Sequence, residues 1–144
     1  MKEHSLDVYA SVQLKLPRPN YIVFYNGEED QPDRKELGLS DAFPDDGRGS
    51  HLEVKAIMLN INLTHNQRLM EHCRKLYEYA VFIDTIRQNR KRGPEIQKAI
   101  EEAIDTCIER NILKEYLIRN KAGVIAMMLT EYDERLHEKT LLEQ

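Results

Sequence analysis

Tyr21-Ile22-Val23-Phe24-Tyr25 is an unbroken run of aromatic and β-branched residues that halts at Asn26-Gly27. Alternation of apolar and polar residues would mark a strand with one wet face. A continuous run marks a strand covered on both faces. Such a strand belongs in the middle of a sheet with helices above and below, so the run predicts a mixed α/β chain. Gly27 is free to take positive φ and turn the backbone. A sheet of that kind needs several more strands, and the sequence offers only one further strong candidate. The mismatch predicts that the chain is the back part of a larger domain.

With 144 residues the chain has room for one domain or a piece of one. Charged residues make up 32% and apolar residues 41%. The apolar residues are clustered, so a modest core is expected. A net charge of -4 gives no bulk attraction to nucleic acid or to an anionic membrane. No apolar run approaches the roughly 18–20 residues of a membrane span. The first residues, Met1 to Asp7, carry no signal-peptide core. Cys73 and Cys107 fall on apolar helix faces and are expected as small buried hydrophobes rather than as a disulfide. Together these features predict a reduced, cytoplasmic protein with no membrane partner.

Ahead of the run, Val12, Leu14 and Leu16 alternate with Gln13 and Lys15 as in an edge strand, until Pro17-Arg18-Pro19 removes ladder donors. Residues 28–51 are polar, acidic and turn-rich, and read as one long connection. Residues 52–63 read as the second strand. Glu53 and Lys55 lie on one face and Asn60 and Asn62 on the other, so a bulge is expected where the parity switches. Thr64 and Gln67 have capping-box spacing and open the longest expected helix. Its stripe is Leu69, Cys73, Leu76, Ala80 and Ile83, and it ends in Arg87, Arg90, Lys91 and Arg92 before Gly93-Pro94. Pro94 restarts a helix with Ile96, Ile100, Ala103, Ile104 and Cys107 on its apolar face. Asn111 is placed as a left-handed cap. A short helix follows, using Leu113, Tyr116 and Leu117. Residues 120–123 are either a break or a helix carrying a costly glycine. Val124, Ile125, Met128, Leu129 and Tyr132 form a last amphipathic helix. The expected organisation is a small two- to three-stranded sheet with an acidic loop over residues 1–63, then three or four helices over residues 64–144.

Three groups of residues invite a chemical reading. Glu53-Val54-Lys55, with Pro44-Asp45 upstream, spells the text of a PD-(D/E)XK nuclease motif. That chemistry wants two carboxylates on a divalent metal and a lysine near the attacking water. Glu53 and Lys55 share a strand face as required, but Asp45 falls in a glycine-containing loop, and the ordinary reading is a solvated charge pair. His65, His72 and Cys73 could suggest a metal, yet no second cluster completes a four-ligand set; His137 with Asp133 is weaker still. Arg87, Arg90, Lys91 and Arg92, with Lys98, form the basic cluster. A solvated helix end is its default reading and weak contact with a nucleic-acid backbone the alternative. No aromatic residue is interleaved with it to stack on bases.

Leu16-Pro17-Arg18-Pro19-Asn20-Tyr21-Ile22-Val23-Phe24-Tyr25-Asn26-Gly27 resembles a block of the recombination-promoting nuclease, or transposase-like, family of bacteria. The resemblance continues through Leu39-Ser40-Asp41-Ala42-Phe43, Met58-Leu59-Asn60-Ile61-Asn62, His65-Asn66 and Cys73-Arg74-Lys75-Leu76-Tyr77-Glu78-Tyr79-Ala80 to Leu129-Thr130-Glu131-Tyr132-Asp133. It implies a restriction-endonuclease-like fold and metal-dependent DNA cleavage, with magnesium as the expected family metal. The likeness is to the family's later half. The strands that carry its metal-binding carboxylates would precede Leu16, so no catalytic, cofactor or metal residue is carried over. Glu53-Val54-Lys55 then falls outside the family's active site. The resemblance implies a truncated or split family member without activity of its own, whose partners are DNA, weakly, and a second copy or a full-length relative. The alternatives are a non-enzymatic helical interaction module, or a small nuclease using Asp45, Glu53 and Lys55.

Overall fold

The computed structural model describes residues 17–44, 49, 51–93 and 95–142, with side chains through residue 134. Among these residues three strands come first: β1 (Tyr21–Tyr25), β2 (Arg34–Gly38) and β3 (Lys55–Asn60). Four helices follow: α1 (Gln67–His72), α2 (Arg74–Lys91), α3 (Ile96–Glu109) and α4 (Lys114–Leu142). The chain is therefore mixed α/β with a small mixed sheet followed by helices, as the sequence predicts. No described helix is long and apolar enough to cross a membrane.

The sheet order is β1-β3-β2. β3 is central, parallel to β1 with Val23 beside Met58, and antiparallel to β2 with Glu36 beside Ile57. This corrects the expectation that β1 is the central, doubly covered strand. Among the described residues it stands at an edge, with Tyr21, Ile22, Val23 and Phe24 between 44% and 56% exposed. Among the described residues, only Met58 of the sheet joins the buried apolar set.

β2 is a second correction, because residues 28–51 read as an unbroken connection. Its sequence, Arg34-Lys35-Glu36-Leu37-Gly38, is too charged to signal a buried strand. Charge is what an outer strand carries to discourage pairing with strangers. A 3₁₀ turn, Leu39–Ala42, follows, and Asp41 accepts from the Gly38 N–H at 2.9 Å. β3 is shorter than the expected residues 52–63 and pairs in unbroken register with both neighbours, so no bulge forms.

The helical part buries one apolar face of each long helix, while Tyr77, Tyr116, Ile118 and Met127 stay about half exposed. Ile86 of α2, Ile100, Ile104 and Cys107 of α3, and Leu117, Val124 and Met128 of α4 form one core. The α3–α4 connection is a Schellman motif as Asn111 predicts. Asn111 has φ 59°, Ile112 N–H donates to the Cys107 carbonyl at 2.8 Å, and Asn111 N–H donates to Ile108 at 3.2 Å. Leu113 is also left-handed, φ 47°. Its N–H is held at 2.9 Å by the carboxylate of Glu78, which also takes Arg74 Nε at 2.6 Å.

Other helix boundaries differ from expectation. Thr64 is not a cap; Asn66, left-handed at φ 44°, precedes α1. The single helix expected from Thr64 is broken at Cys73 (φ -128°, ψ 81°), and Cys73 is exposed rather than buried. The break places the α1–α2 corner over Ile61, Met70 and Ala80, a separate small core. The longest helix is α4. It kinks at Asn120, where φ/ψ leave the helical region, and runs on through Gly123.

Candidate functional site

The strongest concentration of polar side chains lies where β1 and β3 end and α2 passes beneath them. Buried Asn60 donates from Nδ2 to the Gln31 carbonyl at 2.8 Å, and its Oδ1 accepts from Asn62 N–H at 3.1 Å and Asn62 Nδ2 at 3.0 Å. Asn62 Nδ2 also donates to the Gly27 carbonyl at 3.0 Å. Asn66 Nδ2 reaches the carbonyls of Asp33 and Asn60 at 2.5 and 2.9 Å. Asn26 Nδ2 donates to the Tyr79 hydroxyl of α2 at 2.8 Å. A buried amide costs free energy unless its donors and acceptors are matched, and this set matches them largely against loop carbonyls.

Arg87 completes the joint from α2. It donates to Asn62 Oδ1 at 2.7 Å and to the Asn26 carbonyl. Three helical residues on, Arg90 lies 3.4 Å from Glu28 and 5.1 Å above the Tyr132 ring. The two arginines thus clamp the turn after β1 to the helices, while Lys91, Arg92 and Lys98 are exposed. The basic cluster read from the sequence is divided: two of its three arginines, Arg87 and Arg90, hold the fold together, and Lys91 and Arg92 face solvent.

The nuclease-like text is likewise occupied. Glu53 Oε1 accepts from the N–H groups of Leu39 at 2.9 Å and Ser40 at 3.4 Å. The Ser40 hydroxyl, and then these two amides, hold the Glu53 carboxyl below the ordinary glutamate value. It caps the 3₁₀ turn. Lys55 Nζ pairs with Glu36 at 2.6 Å, and that contact raises its pKa. Asp45 lies outside the described residues. With one carboxylate spent on backbone amides and the lysine on a neighbouring strand, these residues do not fit a divalent metal. Among the described residues no group of three or more His, Cys, Asp and Glu could hold one.

His65 Nδ1 lies 2.7 Å from Asp33 Oδ1, and His72 donates from Nδ1 to the Arg68 carbonyl at 2.7 Å. Each histidine serves its own local contact. Asp133 is exposed, and the side chain of His137 lies outside those described. Burial pushes the Cys107 thiol up, which removes it as a nucleophile. A groove of about 360 Å³ between α2 and α4 is lined by Tyr79, Phe82, Tyr116, Met127 and Met128, with Lys75 at its side. It offers apolar contact but no paired acid and base.

Sequence reading missed the joint. Its signal lies in Asn60-Ile61-Asn62, polar amides set among apolar strand residues and read only as a strand face, and in Asn66, which carries no structural role in the sequence reading. Comparison with protein-family models, curated proteins and solved structures finds no match to this chain.

Proposed function

We propose that this chain corresponds to the back part of a recombination-promoting, PD-(D/E)XK-type nuclease of restriction-endonuclease-like fold, and that it acts by association rather than by cleaving DNA. The observation that carries the reading is β1. It is apolar along its whole length, yet among the described residues it lies at a sheet edge and is half exposed. Strands of that composition are flanked by others. The structural contacts of Glu53 and Lys55 support the absence of cleavage chemistry in this chain. Its free cysteines suit a reducing, cytoplasmic setting.

The test is cleavage of plasmid and linear DNA by the purified chain with magnesium or manganese. No cleavage is expected. Cleavage that disappears in Glu53→Ala and Lys55→Ala would overturn the reading in favour of a small nuclease. DNA binding is expected to be weak and salt-sensitive, and to vanish when the solvent-facing Lys91, Arg92 and Lys98 are neutralised. Arg87 and Arg90 are left intact because they clamp the turn after β1 to the helices. Tight binding that survives about 200 mM salt would contradict this, since phosphate contacts weaken steeply over that range.

A further inference from the structure

We infer that the open edge of β1 pairs with β1 of a second copy, antiparallel and centred on Val23, to give a dimer with a continuous six-stranded sheet. Backbone direction fixes which residues can pair. The Tyr25 carbonyl accepts from Ile61 N–H, so it points toward β3. In a parallel ladder alternate residues turn their N–H and C=O to the same side. Tyr21, Val23 and Tyr25 therefore serve β3, while Ile22 and Phe24 turn theirs to the other edge. Among the described residues β1 has no ladder there.

Centring on Val23 sets Ile22 of each copy opposite Phe24 of the other. Both are outward-facing, so each pair exchanges two backbone hydrogen bonds. Val23 meets its own copy on the twofold axis, with Tyr21 opposite Tyr25 on either side. Every cross-strand pair is then aromatic or β-branched, the kinds that stabilise antiparallel strands.

Charge selects the same arrangement. Arg18 precedes β1, and Glu28, Glu29 and Asp30 follow it. Antiparallel pairing brings the Arg18 end of each β1 toward the end of the other that leads into Glu29 and Asp30, whereas parallel pairing would set like ends together. The two edges of the sheet also differ. β1 has no charged residue or proline to deter pairing, while β2 presents Arg34, Lys35 and Glu36. Association through one edge by a twofold axis closes after two copies and does not run on into a fibre. The pairing does not depend on the nuclease assignment, and a cleavage assay leaves it untouched.

Sedimentation of the full chain over a range of concentrations tests it. A monomer–dimer equilibrium is expected. Val23→Lys puts like charges on the axis and should raise the dissociation constant at least about tenfold with helical circular dichroism unchanged. Arg18→Glu should weaken it by a smaller factor. In a Cys73→Ser background, Val23→Cys should form an intermolecular disulfide under mild oxidation and Ile22→Cys should not, because only residue 23 faces itself. A monomer at all concentrations, including one whose own residues 12–16 protect the Ile22 and Phe24 amides from exchange, would overturn the inference. So would open-ended polymers, a dimer indifferent to Val23→Lys, or faster crosslinking of Ile22→Cys.

Discussion

The helices and the sheet of this chain contain comparable apolar sequence and treat it differently. In the helices Ile86, Ile100, Ile104 and Leu117 are completely buried, whereas in β1 Ile22 is 56% and Phe24 53% exposed. The difference lies in what each element needs from its neighbours. α2, α3 and α4 follow one another closely, and each supplies the surface its predecessor must hide. A strand needs lateral partners for its backbone and covering layers for both faces. Among the described residues β1 has one lateral partner and little cover. An apolar run states what must leave water, not whether the same chain supplies the shelter.

The comparison can be broken most directly by large-to-small substitution in each region. Ile104→Ala should cost about 2–5 kcal/mol in denaturant unfolding, through lost burial and the cavity left behind. Phe24→Ala, measured on the dilute monomer, should stay within about 0.5 kcal/mol of the parent. Equal losses at the two sites would mean that β1 is sheltered after all.

The joint between the regions should rank next. Asn60→Ala removes a buried amide and leaves the Gln31 carbonyl and the Asn62 amide without their partner, a loss of about 1–3 kcal/mol. The loss should be read at the sheet before the helices. Uniform destabilisation of both would show that the two regions are one cooperative unit.

Glu78 sharpens the helical side. The Leu113 amide, and then Arg74, hold its carboxyl below the ordinary glutamate value of 4.5, against the opposing effect of burial. A depressed folded pKa stabilises the fold above the unfolded value and loses that contribution as pH falls through the folded one. Thermal stability should therefore decline on acidification below about 4.5, and Glu78→Gln should flatten that part of the profile. A profile identical to the parent would remove Glu78 from the account of the α3–α4 turn. The smallest effect is expected at Lys55→Ala: an exposed pair with Glu36, whose loss should leave the melting temperature unchanged within error.

Legibility followed the same division. The α3 face and the Asn111 turn were readable because both depend on residues close in sequence. The positions of β1 and β2 were not, because strand order is set by pairing over long separations. Arg34-Lys35-Glu36 conceals a strand whose partner is some twenty residues away. Arg87 was legible as a cation at a helix end but not as a clamp, since Asn26 and Asn62 reach it only through the fold. For Glu53 and Lys55, local text suggested chemistry that the surrounding backbone amides and Glu36 reassign to turn and strand contacts.

The joint of Asn26, Asn60, Asn62 and Arg87 also bears on how the molecule opens. Hydrogen bonds to loop carbonyls can be exchanged for bonds to water, while the helix core has no such substitute. Openings that release the three strands together should thus cost less than openings that disperse the helices. In native-state exchange, the amides of Ile57 and Leu59 would then report a lower free energy than those of Ile104 and Cys107. The sheet would behave as the lid of the chain's energy landscape, lifting many times for each complete unfolding.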